Sequence, residues 1–370
     1  MGIVQTVIRH PWRVAVTVVA GVLLGLGAFY VYQVQVALGT LATEEFDPAA
    51  ARAAIDVTDT TSRDIVFVEP APYPEGEELS EYQLELAGEF DLSGSFDPRS
   101  LTPNSFGTPI DDNIFTSYLL VGADASGFLA DVIILALQPE DTDPIMVSLP
   151  RDLLVWNLCN RTLTRLNEGL GGCTGVASGS ELLAIMVEDY TGIPVDHVAR
   201  VNFAGFARVV DAMGGVTICV DHPTRDVKSH LEITGSGCRR ASGETTLAWV
   251  RSRHTEQLIG AAWVGVAGSD FARHTRQQDV LFQLAGKAAG FSSPVSLTNK
   301  LAAVASSVRL DSSWTFGQAV SAAWRYRGIS KDDVSRFSIE VQNHRTPQGA
   351  AVLLPTLPFK DQLEEIYPLD

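Results

Sequence analysis

Between Val14 and Thr43 the chain carries no charged side chain. The first part of that stretch, Val14–Tyr32, reads VAVTVVAGVLLGLGAFYVY. A run this long and apolar spans a hydrocarbon core of about 30 Å as a helix. Arg9 and Arg13 precede it, and Glu44, Glu45 and Asp47 come after it. The positive-inside rule keeps residues 1–13 in the cytoplasm and places the chain beyond the span outside. The expectation is one membrane-crossing helix over 14–36, with Trp12, Tyr30 and Tyr32 at interfacial positions. A cleaved signal peptide is the competing reading. The run is longer than a usual signal core, and no A-x-A site comes closely after it.

An exported domain has consequences for its cysteines. There are four, Cys159, Cys173, Cys219 and Cys238, and an even number outside the cytoplasm suggests disulfides. Of the three possible connectivities, the sequence-local one joins Cys159 to Cys173 and Cys219 to Cys238. No C-x-x-C or H-x-x-x-H pair accompanies them, which argues against zinc. The formal charge of −17 is uneven: Glu44–Asp112 holds 17 acidic residues against 3 basic ones. The expected layout is therefore an acidic juxtamembrane or accessory region over 37–112 and a mildly acidic catalytic body over 113–370. No basic stripe or zinc-finger spacing points to nucleic acid.

Within the body, Tyr118–Val121, Val132–Leu137 and Ile145–Leu149 are continuous apolar runs, the mark of strands buried on both faces. Ser178-Gly-Ser-Glu181 is a capping box that opens a helix ending near Gly192. Asn202 caps a second helix with an apolar face, stopped by Gly214-Gly215 before a strand over Val216–Val220. Further helices begin at Ser242 and near Arg273. Ala49–Ile55 is a short helical candidate, and Ile65–Val68 and Tyr82–Leu86 are strand candidates. Helices alternating with buried strands predict a three-layer α/β/α sandwich.

Several polar residues stand at the strand ends. Asp124 comes just after the first strand and Asp131 starts the second. Two carboxylates there suit a hard cation such as Mg²⁺; a pair of solvated turn residues is the plainer reading. Arg151-Asp152 comes directly after the third strand. Arg251 and Arg253 are two apart, so an extended segment would point them to one side. Asp270 is a plausible N-cap for a helix that carries Arg273, Arg276 and Gln277 on one face. Arginines beside a helix N-terminus make an anion site, because the planar guanidinium clamps phosphate oxygens bidentately. No G-x-S-x-G elbow or Walker A sequence is present. Carboxylates, a metal and arginines together read as phosphoryl transfer by positioning and charge neutralisation.

The ordered motifs Gly122-Ala-Asp124, Ala130-Asp131-Val132, Ser148-Leu-Pro-Arg151-Asp152, Thr164-Arg165-Leu-Asn167, Val201-Asn-Phe-Ala-Gly-Phe206, Val210-Asp-Ala-Met-Gly-Gly-Val216, Val250-Arg251-Ser-Arg253 and Ser269-Asp270-Phe-Ala-Arg273-His-Thr-Arg276-Gln277-Gln278 resemble those of the LytR-CpsA-Psr (LCP) family. The resemblance implies an α/β/α domain with a mixed central sheet, and a phosphotransferase that ligates a polyprenyl-pyrophosphate-linked glycan to peptidoglycan. It implies Mg²⁺ held by Asp124 and Asp131, and phosphates bound by Arg151, Arg251, Arg253, Arg273 and Gln277, with Arg165 and Arg276 beside them. Asp270 would orient Arg273 or help deprotonate the acceptor. A lipid groove would lie between the helices Glu181–Tyr190 and Phe203–Met213. Three departures stand out. Ala125-Ser126-Gly127 comes after the first aspartate where the family often has an arginine. Arg165 stands where a lysine is usual. An apolar insert, Leu258–Val266, separates Arg253 from Asp270; a lid, a membrane contact and a disordered loop are its open readings. A separate C-terminal domain found in some relatives is not expected. Rival functions are a polyprenyl-pyrophosphate hydrolase and a non-catalytic lipid-binding or regulatory envelope protein.

Overall fold

Long apolar runs make the middle of this chain a sheet. In a computed structural model the described residues are 42–58, 107–111, 113–140, 142–266, 269–289, 307–313, 333–345 and 350–369. The expected span over 14–36, most of the region 37–112 and the strand candidates Ile65–Val68 and Tyr82–Leu86 lie outside them. Among the described residues no helix is long and apolar enough to cross a membrane.

The central sheet has seven strands, in the spatial order β1 (Ala42–Glu44), β14 (Val308–Asp311), β7 (His197–Asn202), β2 (Phe115–Ala123), β3 (Ala130–Pro139), β4 (Ile145–Ser148) and β15 (Ser335–Ser338). It is mixed. β2, β3 and β4 form an antiparallel meander. β7 runs parallel to β2, and β15 runs parallel to β4. The carboxyl ends of β2, β4, β7 and β15 therefore meet at one end of the sheet, where open α/β sheets bind ligands.

Helices cover both faces. On one, α1 (Pro48–Thr58) and α2 (Gly179–Thr191) pack over Leu119, Val121, Ile133 and Leu135. α2 begins at the predicted capping box: Ser178 Oγ accepts from the Glu181 amide at 3.2 Å, and the Glu181 carboxylate accepts from the Ser178 amide at 2.7 Å. It ends at Gly192, where φ is 72° and a Cβ would lie 2.0 Å from the Thr108 carbonyl oxygen, so only glycine fits there. Arg52 of α1 donates to Asp189 of α2 at 2.6 Å and ties the two helices together.

A hairpin of β5 (Leu154–Asn157) and β6 (Thr162–Arg165) leads into a 3₁₀ turn over Leu166–Gly171 on the α2 face. α3 (Phe203–Ala212) starts at Asn202, whose side chain accepts from the Gly205 amide at 2.8 Å. Beyond it lie β8 (Val216–Val220), β9 (Thr224–Asp226), β10 (Leu231–Ile233), β11 (Gly237–Ala241) and α4 (Gly243–Arg251), capped by Ser242. Val210, Val216, Ile218 and Ala248 form a second small core there.

The apolar insert is ordered: β12 (Glu256–Ile259) and β13 (Ala262–Gly265) pair as a hairpin, and β12 joins β9. α5 (Ser269–Ala289) then crosses the other face of the main sheet, with Leu281 and Phe282 against Ile134 and Met146. Near the C-terminus β16 (Val341–Arg345) and β17 (Ala351–Pro355) pair, and α6 (Phe359–Glu364) buries Phe359 beside Tyr190. Both sequence-local disulfides are present, Cys159–Cys173 and Cys219–Cys238.

Candidate functional site

The site is built at the carboxyl end of β2. β2 and β3 pair in register from Phe115/Pro139 to Gly122/Val132, and then Ala123 faces Ala130. Asp131 is the extra residue, so it occupies a β-bulge. Bulges re-aim one side chain and are common beside functional sites. Here Asp131 is turned to the Arg151 guanidinium, with which it forms an ion pair. Asp124 is folded into its own loop. Its carboxylate accepts from Ser126 Oγ at 2.7 Å and from the Gly127 amide at 2.8 Å. Burial works against its ionisation, but the hydrogen bonds from Ser126 and from the Leu129, Gly127 and Phe128 amides outweigh that and hold its pKa below the usual value.

Three arginines from distant segments converge on Asp152. Arg151 Nε lies 3.4 Å from its carboxylate, Arg253 3.5 Å, and Arg165 Nε 3.9 Å. β4 delivers Arg151, β6 delivers Arg165, and the turn after α4 delivers Arg253. These distances are longer than good hydrogen bonds. Arg165 Nε also donates to the Ala351 carbonyl at 3.1 Å, and an arriving dianion can compete with the carboxylate for the guanidinium groups. Local spacing assigns Asp152 no role beyond its place after Arg151; its position among three arginines appears only in the fold.

Arg251 and Arg253 part company. Arg251 ends α4 and Ser252 caps it, so the pair is not on an extended segment. Arg251 lies over the Phe203 ring at 4.3 Å. Phe203 is next to Asn202, which is level with Ala123, so Arg251 also stands at the carboxyl end of β2. Arg253 is oriented by Asp226, a residue that sequence reading missed. One oxygen of the buried Asp226 accepts from Ser252 Oγ at 2.7 Å, the Arg253 amide at 2.9 Å and the His254 amide at 2.8 Å. The other accepts from the Lys228 amide at 2.9 Å. Burial opposes ionisation, yet this set of donors, led by the His254 amide, pulls the Asp226 pKa down to about 2.

α5 fastens the same turn from above. Arg276 donates to the Ser252 carbonyl and, at 3.1 Å, to Thr255 Oγ1, and it stacks on Trp249. Burial lowers its pKa to about 10, against the attraction of Asp226. Gln277 donates to the Val250 carbonyl at 3.1 Å, and Gln278 donates to Ser148 Oγ at 3.0 Å. Arg273 is buried beside His274, which contacts Ser338 Oγ at 3.2 Å. The helix begins at Ser269, so Asp270 is inside its first turn instead of capping it; the Asp270 side chain lies outside the described residues.

Further along α5, one to two turns past Gln277, a cavity of about 320 Å³ opens between the helix and the sheet. Leu281, Phe282 and Ala285 line it from above, and Leu120, Ala136 and Met146 from below. Neither α2 nor α3 contributes a lining residue. Leu182–Val187 of α2 are buried in the core on the other side of the sheet.

The LytR_cpsA_psr family pattern matches residues 111–365. The probable cell wall biosynthesis protein LcpB of Corynebacterium glutamicum is 31% identical over 166 residues, 40% of this chain and 38% of that protein. The polyisoprenyl-teichoic acid–peptidoglycan teichoic acid transferase TagU of Bacillus cereus is 27% identical over 221 residues, 57% of this chain and 65% of that protein. The chain thus spans less than two thirds of either relative. Among solved structures, a LytR-Csp2A-Psr enzyme from Actinomyces oris superposes with a TM-score of 0.56 at 25% identity, covering 70% of this chain and 92% of that one. B. subtilis TagV superposes with a TM-score of 0.54 at 20% identity, covering 68% and 97%, a likeness of fold.

Proposed function

The chain belongs to the LytR_cpsA_psr family, and we propose that it transfers a glycopolymer from a polyprenyl-pyrophosphate carrier to a peptidoglycan hydroxyl at the outer face of the membrane. The observation that carries this reading is the meeting of Arg151, Arg165 and Arg253 around Asp152, with an apolar cavity under α5, the helix that fastens the Arg253 turn. Such a pair of features suits an amphiphile with a diphosphate head and a hydrocarbon tail.

In this reading the pyrophosphate takes the place beside the arginines that Asp152 holds in its absence. Arg273 adds charge from the start of α5. Arg276 and Gln277, which donate to the Ser252 and Val250 carbonyls and to Thr255 inside the protein, serve as positioning residues. The acceptor hydroxyl oxygen attacks the glycan-bearing phosphorus. A P–O bond to that oxygen forms, the bond to the bridging oxygen breaks, and polyprenyl phosphate leaves with the electron pair. The hydroxyl proton passes to a base, for which Asp270 in the first turn of α5 is the candidate. The product is a phosphodiester between glycan and wall.

Among the described residues no three metal-ligating side chains cluster. Mg²⁺ often takes only one or two carboxylates and completes its shell with water and substrate phosphates. Asp124 and Asp131, each next to the Ala123–Ala130 pair in sequence, are the residues that would hold it in that limited role. A bound Mg²⁺ would supply charge neutralisation on the phosphate oxygens.

The test is product analysis with a lipid-linked glycan, with and without peptidoglycan. Polyprenyl phosphate together with wall-bound glycan is the expected outcome, and Arg151→Ala and Arg253→Ala should each slow it about 10²-fold or more. Free glycan phosphate formed at the same rate without peptidoglycan would establish hydrolysis in its place. Wild-type rates in both variants would remove the site assignment.

A further inference from the structure

Immediately after Arg253 the chain projects a hairpin that nothing described covers. From Gln257 to Val266 it carries no charge, and every residue from Ile259 to Val266 is exposed. Ile259 is 50% exposed, Val264 45%, Val266 41% and Trp263 36%. Register places Ile259 and Val264 on one face and Leu258 and Trp263 on the other, so both faces of the tip are apolar. Outer strands of soluble sheets are ordinarily guarded by lysine, proline or a bulge; β13, at the end of its sheet, is Ala-Trp-Val-Gly.

Where the chain enters the domain says what lies opposite. Ala42 is level with Arg309, Arg309 with Arg200, and Arg200 with Val121. The chain therefore arrives at the same end of the sheet as Asp124, and the hairpin leaves from the arginine cluster at that end. Only residues 37–41 separate Ala42 from the expected span over 14–36. Fully extended, they hold the domain no more than roughly 20 Å from the bilayer. On the loop after Asp124, Phe128 is 66% exposed and adds an apolar side chain to the same end. The acidic stretch Glu44–Asp112 would repel anionic headgroups, a repulsion that the uncharged run Gln257–Val266 of this hairpin does not add to.

We propose that the β12–β13 hairpin dips into the membrane interface as a second contact beside the anchor, holding the arginine site toward the lipid surface. Trp263 is the interfacial residue, of the type enriched at that depth. The inference rests on the anchor reading, and Trp12 and Trp263 let the two be separated.

The experiment uses the full chain in nanodiscs made with brominated phosphatidylcholine, which quenches nearby tryptophan. Trp12→Phe should retain lipid-dependent quenching, and Trp12→Phe/Trp263→Phe should lose it. Val264→Asp placed in the Trp12→Phe background should also lose it; this exposed change spares the Trp263 stack on Arg225 (4.2 Å), and an unchanged melting temperature confirms its fold. Quenching in Trp263→Phe but none in Trp12→Phe would leave the anchor standing and overturn the hairpin contact. No quenching in either would overturn both. Equal quenching in Trp12→Phe and the double variant would overturn the hairpin contact, as would lipid-free dimers that Val264→Asp dissolves.

Discussion

Replacing Asp226 with asparagine tests how the arginine turn is held. The folded carboxyl has a pKa of about 2, against about 3.9 in an unfolded chain. The folded state thus binds the proton more weakly. The resulting stability is fully present above the unfolded value and is lost as pH falls from about 5 toward 2; at neutral pH it amounts to about 2–3 kcal/mol. Asparagine keeps the shape but offers one acceptor oxygen and one NH₂. If the oxygen faces Ser252, Arg253 and His254, the Lys228 amide faces an NH₂. If the amide turns over, three donors lose their acceptor. Each buried donor left unmet costs about 1–3 kcal/mol, so Asp226→Asn should lose about 3 kcal/mol and roughly 6–12 °C of melting temperature. The Arg253 backbone would be released with it, and a misplacement of about 1 Å lowers transfer about 10²-fold. Thermal melts across pH 3–8 and transfer assays on the same protein read both effects. A variant that melts and turns over like wild type, with an unchanged acid limb, would refute this account of the turn.

Arg52→Ala leaves Asp189, 3% exposed, without its cation. Burial has already raised that carboxyl to about 6 with Arg52 present. Removing Arg52 raises it further, and because a raised carboxyl costs stability as pH rises through its folded pKa, the loss of about 3 kcal/mol should be larger at pH 8 than at pH 5 in denaturant titrations. Ala285→Trp fills the cavity under α5; it should leave the melting temperature near wild type while raising KM for long-chain donors more than for short-chain ones, and equal effects on both would argue against a tail site. Reducing Cys159–Cys173, whose loop spans 14 residues, should cost about 3 kcal/mol and loosen the β5–β6 hairpin that carries Arg165, visible as a lower melting temperature in reductant.

Local signals in the sequence located the elements well. The Ser178–Glu181 box, Asn202 and Ser242 each cap the helix they announce, because capping needs only neighbours a few residues away. The buried runs became β2, β3 and β4, and the disulfides take the shortest connections. Long-range side-chain geometry was not legible. Asp226 sits in a short strand with no motif around it, yet it holds the Arg253 turn through hydrogen bonds spanning 26–28 residues. The expected shared side for Arg251 and Arg253 failed because the helix runs through Arg251. The cavity under α5 had no signal of its own, because apolar periodicity marks a buried face without saying what it faces. The helix face that spacing assigns to Arg273, Arg276 and Gln277 is turned into the protein, where all three are buried.

The most direct measurement is a crystal structure of the full chain with a short polyprenyl pyrophosphate and Mg²⁺. The account predicts the diphosphate within hydrogen-bond reach of Arg151 and Arg253, Asp152 drawn back from at least one of them, and the hydrocarbon tail beside Phe282 and Ala285. A diphosphate bound elsewhere on the surface, with Asp152 still holding its arginines and the space under α5 empty, would contradict it.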